Sequence, residues 1–323
     1  MSIAISRLDD IKRQMPAGYW TVEIVLKLRH ALSPDIFFNS WYWSNRIISQ
    51  LEYAAKLSEV NDGKYDDLVN AGIEFICNRY EKDGTITKEA VLETERIILP
   101  LSDTAKSFKI ICVAHAHIDM NWMWRWDETV AVALDTFRTM LDLMNDYPEF
   151  IFSQSQASVY RIVEEHAPEM LEEIKHRVKE GRWEVTASTW VENDKNMPNG
   201  ESMARHILYT KRYLSHLLDI DADSLQIDFE PDTFGHSINI PEILTRGGVK
   251  YYYHCRGYEE QSIYRWIAPS GSSVIVYRDP FWYNGFIDSS MALYVPEFCT
   301  KHHMDAMLKV YGVGDHGGGP TRR

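Results

Sequence analysis

"KIICVAHAHIDMNW" (Lys109–Trp122) joins a short, β-branched apolar run to two histidines, an aspartate and a tryptophan. The run reads as a strand buried on both faces. The polar cluster sits where that strand gives out, which is where groups costly to bury are carried if they serve a site. Next comes "DETVAVALDTFRTMLDLMNDYPEF" (127–150), whose Val130, Leu134, Phe137, Leu141 and Met144 fall on one helical stripe. Asp127 is expected to cap its start and Pro148 to mark its stop. This is a strand, a loop and a helix.

The alternation continues along the chain. "FIFSQSQ" (150–156), "RWEVTASTWVE" (182–192), "SLQIDFE" (224–230) and "KYYYHC" (250–255) read as strands, while "APEMLEEIKHRVKEG" (167–181), "GESMARHILYTKRYLSHLL" (200–218) and "PEILTRGG" (241–248) read as helices. Gly181 is expected to close the first of these helices, and Asn199 and Gly200 lie at the start of the second. Repeated units of this kind predict an α/β fold with a mostly parallel sheet flanked by helices. Its ligand site is expected at the carboxyl ends of the strands.

Residues 1–105 have a different character. "TVEIVLKLRHAL" (21–32), "WYWSNRIISQLEYAAKLSEV" (41–60) and "YDDLVNAGIEFICNRY" (65–80) carry apolar residues at steps of three and four, separated by Ser33-Pro34 and Asp62-Gly63. The division is therefore a helical N-terminal region, 1–105, and an α/β domain, 106–323.

The totals narrow the function. With 45% hydrophobic residues in 323, the chain has material for a substantial core. Thirty-four Lys and Arg against 47 Asp and Glu leave a formal net charge of −13, and no basic run offsets it, so nucleic acid is not an expected partner. The start, "MSIAISRLDDIKRQMPAG", lacks the apolar stretch of a secretory signal, and nothing approaches a membrane span. A soluble, cytoplasmic protein is expected. Cys77, Cys112, Cys255 and Cys299 are widely spaced with no CxxC pair, and are read as reduced, buried thiols.

Three segments carry the chemistry. In an extended "HAHIDMNW", side chains two apart share a side, so His115, His117 and Asp119 can converge on one point, and imidazole and carboxylate are good zinc ligands. Any one histidine read alone is equally a satisfied core residue. In "TWVENDKNMPNGES" (189–202), Asp194 is either a functional carboxylate or a loop-capping residue. In "DFEPDTFGHS" (228–237), Asp232 follows a strand and a proline.

Taken in order, "HAHIDMNW", "WVENDKNMPNGE" and "PDTFGHS" resemble the fingerprints of glycoside hydrolase family 38, the zinc-dependent α-mannosidases, from about residue 109 onward. The second motif and the helical N-terminal region look most like the cytosolic and bacterial branch. The resemblance implies a retaining α-mannosidase in which His117, Asp119 and Asp194 bind one zinc ion, for which cobalt is a possible substitute. Asp194 is then also the nucleophile, and His115 supports the ligands from behind. By the same resemblance Trp122 packs against the sugar, although its W-M-W-R-W setting also suits plain packing. Asp232 helps position an α-mannoside oligosaccharide substrate, and "YGVGDHGGGPT" (311–321) supplies Asp315 as general acid/base. Members of the family are longer, with a further zinc-binding histidine, and full-length relatives are expected to be homo-oligomers. The α/β domain is accordingly expected to be C-terminally truncated. Two rival readings are a non-catalytic binding or assembly piece and an amidohydrolase recruiting His236 and His254. The latter leaves the tryptophan-rich loops unexplained.

Overall fold

The structure, a computed structural model, describes residues 2–14, 34–314 and 316–322. The helix expected over 21–32 lies outside them, as does Asp315. The described chain divides into two compact units, one made of Met1–Ile110 with Asp288–Met307 and the other of Ile111–Ile287 with Leu308–Arg323.

The first unit is helical. It contains α1 (Ser2–Gln14), α2 (Pro34–Glu59), α3 (Asp66–Asp83), α4 (Lys88–Ile98) and α5 (Ser102–Ser107). Its boundaries follow from local chemistry. The N–H of Gly84, in the left-handed region at φ 69°, donates to Tyr80 O and closes α3, and the Thr87 side chain accepts from Ala90 N to open α4. The apolar stripes meet in a core that includes Ile47, Leu51, Ile73, Ile76, Cys77 and Val91. This unit also takes in Asp288–Met307, with the short helix Val295–His302.

The second unit is α/β, with two sheets. The first has the order β3 (Trp183–Val185), β2 (Phe152–Gln154), β1 (Lys109–His115), β8 (Ala306–Tyr311), and both β1–β2 and β2–β3 are parallel. The second has the order β4 (Ile227–Phe229), β5 (Tyr251–His254), β7 (Ser273–Arg278), β6 (Ile263–Ile267). There β4–β5 and β5–β7 are parallel and β6–β7 is an antiparallel hairpin. The flanking helices are α6 (Trp126–Asp146), α7 (Ala157–His166), α8 (Pro168–Lys179), α9 (Gly200–Leu218) and α10 (Ile240–Arg246).

Helix boundaries are largely as expected. Gly181 adopts φ 71° just beyond α8, the Asn199 side chain accepts from Ser202 N at the start of α9, and α6 ends before Pro148. Asp127 does not cap α6: it lies inside the first turn, the capping position is Arg125, and no side chain bonds there. Its carboxylate pairs instead with Arg125 Nε at 3.0 Å.

β1 also departs from expectation, since Ile111 is 52% exposed and Cys112 is exposed rather than buried. Only Ala114 and His115 pair with β2, so the first half of the strand runs past the end of its neighbour. Cys77, Cys255 and Cys299 are buried and free. Helix α7 has no counterpart in the sequence reading, and "RWEVTASTWVE" forms a strand only over its first part, because Thr186 onward turns into a loop carrying polar side chains inward.

An aromatic cluster fills the space between α6, α7 and the first sheet. Trp183 meets the Phe137 ring at 5.0 Å and the Phe152 ring at 4.9 Å, both edge-on, and its Nε1–H donates to Tyr160 Oη at 3.1 Å. The large buried surface and the satisfied indole make this residue a main contributor to the unit's stability. Trp183→Ala is expected to cost about 3–5 kcal/mol, read as a lower midpoint in urea unfolding followed by circular dichroism.

Candidate active site

The expected location is where the structure puts a cavity of about 490 Å³, lined by His117, Asp119, Trp122, Glu192, Asp194 and Asp232 among others. Each polar side chain arrives on the segment that follows the carboxyl end of a strand: β1 for His117 and Asp119, β3 for Glu192 and Asp194, and β4 for Asp232. β1 and β3 belong to one sheet and β4 to the other, and the loops that follow them bring these groups to one cavity.

His115 and His117 part company. β1 ends at His115, so the strict alternation of side chains ends there too, and the expected convergence of three groups becomes a convergence of two. His115 is 1% exposed, Nδ1 donates to Ser153 O at 2.9 Å, and the ring packs 4.7 Å from that of Phe229. It does not line the cavity. Burial pushes its imidazole down to about 3, so it is neutral.

His117 does line the cavity, packed against the Tyr283 ring at 4.7 Å. Its Nε2 contacts Glu192 Oε2, and its Nδ1, which makes no hydrogen bond, lies 3.2 Å from Asp119 Oδ1. Burial opposes the imidazolium, but the Glu192 and Asp119 carboxylates outweigh it and push His117 up to about 10. The pocket favours positive charge at this point.

Glu192 is a residue the sequence reading passed over. Besides facing His117, it accepts from Asp232 N through Oε1 at 2.6 Å, and its own N–H donates to Gln156 Oε1 at 3.1 Å. Gln156 Nε2 in turn donates to Ile118 O at 2.9 Å, from the unusual φ of 65°. The only sequence signal was a carboxylate two residues before Asp194, inside a motif already singled out.

Asp194 makes the loop-capping bond and also faces the cavity: its Oδ1 accepts from Asn196 N at 2.9 Å. Gly235 passes so close that a Cβ there would sit 2.3 Å from Asp194 Oδ1 and 2.1 Å from Asn196 Nδ2. Trp122 is 64% exposed at the rim and stands edge-on to Trp124 at 6.0 Å, so it is not packing filler.

Asp232 is held by Arg256, whose Nε donates to Oδ1 at 2.6 Å. The guanidinium lies 4.9 Å from the ring centres of both Phe234 and Trp282. Burial raises the Asp232 carboxyl above the usual aspartate range despite that partner. Behind Arg256 stand the two histidines of the amidohydrolase reading. His236 Nε2 and His254 Nδ1 both donate to Arg256 O, at 2.9 and 2.7 Å, while their other nitrogens face the hydroxyls of Tyr252 and Tyr264. They brace Arg256 and do not line the cavity.

The donors around His117 suit a divalent cation in kind, being imidazole nitrogen and carboxylate oxygen, and His117 Nδ1 is a buried nitrogen without a hydrogen bond. Their arrangement does not amount to a ligand set. Among the described residues no three His, Cys, Asp or Glu side chains are grouped to hold a metal ion. His117 Nε2 is engaged by Glu192, and one Asp194 oxygen by Asn196.

Residues 107–323 match the glycosyl hydrolases family 38 N-terminal domain, and the chain belongs to that family. Alpha-mannosidase G of Dictyostelium discoideum is 32% identical over 221 residues, covering 66% of this chain and 20% of the relative. Human alpha-mannosidase 2C1 is 29% identical over 222 residues, covering 66% and 21%. The chain thus spans about a fifth of the length of the relatives it matches. An alpha-mannosidase from Enterococcus faecalis V583 superposes with a TM-score of 0.57 at 20% identity, over 66% of this chain and 26% of the other, which shows a shared fold. No helix among the described residues is long and apolar enough to cross a membrane.

Two predictions follow from this geometry. Gly235→Ala is expected to displace Asp194 and Asn196 and to cost about 1–3 kcal/mol, measured by urea unfolding. His254, 1% exposed, is pushed by burial from 6.5 down to about 4. The unfolded chain therefore takes up the proton first as the solution is acidified. The contribution is complete above about 6.5 and is lost as pH falls from there toward about 4, by something on the order of 3 kcal/mol. A pH series of unfolding free energies checks this, and His254→Asn is expected to flatten the profile over that window.

Proposed function

We propose that this chain carries the sugar-binding and nucleophile-bearing part of a retaining α-mannosidase acting on terminal α-mannosides of oligosaccharides in the cytoplasm. The observation that supports it most is the joint lining of one cavity by His117, Asp119, Trp122, Asp194 and Asp232, from three separate loops, within a family 38 domain.

In this reading, which rests on the family resemblance, His117, Asp119 and Asp194 would hold one zinc ion, or cobalt in its place, although the structure does not group them around one point. When bound, the metal supplies positive charge to the sugar's ring hydroxyls and keeps the neighbouring carboxylate ionised. Holding the metal would require a neutral His117 imidazole. Asp194 attacks the anomeric carbon, and Asp315 protonates the departing oxygen and later deprotonates the incoming water, as retention by two carboxyl groups requires. Trp122 offers its exposed face to the C–H surface of the ring. Asp232, fixed by Arg256, holds a sugar hydroxyl. The family match leaves the amidohydrolase reading without support.

Two measurements test this on the 323-residue chain. After dialysis it is expected to retain about one zinc per chain. It is also expected to cleave a nitrophenyl α-mannoside, with Asp194→Asn lowering kcat by at least about 10³-fold while circular dichroism is unchanged. Retained turnover in that variant removes Asp194 as nucleophile. A folded chain with neither metal nor turnover favours the binding or assembly reading.

A further inference from the structure

Lys195 directly follows Asp194, yet it does not line the cavity. Its ammonium lies inside the unit, 3.1 Å from Asp228 Oδ2 and 3.1 Å from Glu230 Oε1, with the lysine side chain 3% and both carboxylates 0% exposed. Two hydroxyls complete the group. Ser188 Oγ donates to Asp228 Oδ1 at 2.7 Å, and Thr189 Oγ1 to Glu230 Oε1 at 2.6 Å. None of these five residues lines the candidate active-site cavity.

Stability alone does not explain them. Taking three ionisable groups out of water is costly, and well-packed apolar residues of the same volume commonly serve as well or better. What a buried ionic group supplies in addition is a unique register, because any slip leaves a charge uncompensated in the interior. The register fixed here is that of two functional loops. Ser188, Thr189 and Lys195 belong to the segment after β3 that carries Asp194, and Asp228 and Glu230 belong to β4 and its continuation, which carries Asp232 two residues later. Consecutive Cα atoms are about 3.8 Å apart, so a pinned Lys195 leaves the Asp194 backbone little freedom. Glu192 ties the same two segments on the cavity side, through Asp232 N. Asp194 is thus flanked in the chain by two anchors that reach the same neighbouring loop.

We propose that the buried Lys195–Asp228–Glu230 group is a positioning device, which locks the loop bearing Asp194 onto the end of β4 so that Asp194 and Asp232 face one cavity. Its catalytic consequence rests on the α-mannosidase reading above; its structural consequence does not.

Lys195→Met alone leaves two buried carboxylates without a counter-charge and is a poor test. The informative variant of the full chain is Lys195→Met with Asp228→Asn and Glu230→Gln, which replaces all three ionisable groups and roughly keeps the shapes. Amide hydrogen exchange over residues 190–197 is expected to quicken at least about 10-fold, with β1 and α6 unchanged. If the wild-type chain turns over mannoside, kcat is expected to fall about 10- to 100-fold while KM changes less than about 3-fold. Thr189→Val, which deletes one hydrogen bond and keeps the side-chain outline, is expected to give the same local pattern at about 3-fold, and it decides the matter if the triple variant does not fold. Unchanged exchange over 190–197, or an equal rise throughout the unit, overturns the proposal. So does local loosening with an unaltered kcat. A wild-type chain that folds but hydrolyses no mannoside counts against the function proposed above and leaves the exchange experiment to decide on the lock.

Discussion

Glu192 accepts from the backbone of Asp232 with one oxygen and faces His117 with the other, so a single carboxylate spans the segments that follow β1, β3 and β4. A carboxylate only 10% exposed has given up most of its hydration and is tolerable only where donors surround it. That requirement organises the cavity. His117 and the start of the third loop must be in place for the Glu192 carboxylate to be satisfied, Gln156 Oε1 meanwhile accepts from the Glu192 backbone N–H, and together these bonds fix the three walls relative to one another.

The charges on the two sides of the second loop work in opposite directions. On the cavity side, His117 sits between the Asp119 and Glu192 carboxylates, and the local field favours a cation. On the interior side, Lys195 compensates Asp228 and Glu230; burial nonetheless holds the Glu230 carboxyl well above the usual range, with Asp228 adding to the effect and Lys195 opposing it. The unit therefore places excess negative charge where something positive can reach it and encloses the rest with its own counter-ion. Around the rim, Trp122 and Phe234 remain exposed beside these charged groups, so apolar faces and polar groups meet at the cavity mouth.

The third loop shows how a polar group is held without rigid secondary structure. Asp232 is fixed by Arg256, Arg256 by two aromatic faces, and the Arg256 carbonyl by two neutral imidazoles. Histidines that invited a metal reading turn out to be braces, one residue removed from the cavity that Arg256 lines. Their neutrality follows from burial, and their hydrogen-bond partners are tyrosine hydroxyls and a carbonyl.

The sequence by itself determined the strands β1 to β5, the helical stripes other than α7, the N-terminal helical region where it is described, and the placing of His117, Asp119, Asp194 and Asp232 after strand ends. Those are properties of local periodicity and of where a chain leaves a strand. Tertiary structure alone decided the rest. The strands form two sheets, with the β6–β7 hairpin closing the edge of the second, because pairing joins segments whose sequences carry no mark of their partners. His115 turns away from the cavity because β1 stops there. Glu192 and Lys195 read as ordinary loop charges, and only folding shows one bridging three segments and the other buried between two carboxylates. A side chain's burial and its partners depend on residues about 35 to 75 positions away, and no local pattern encodes that meeting.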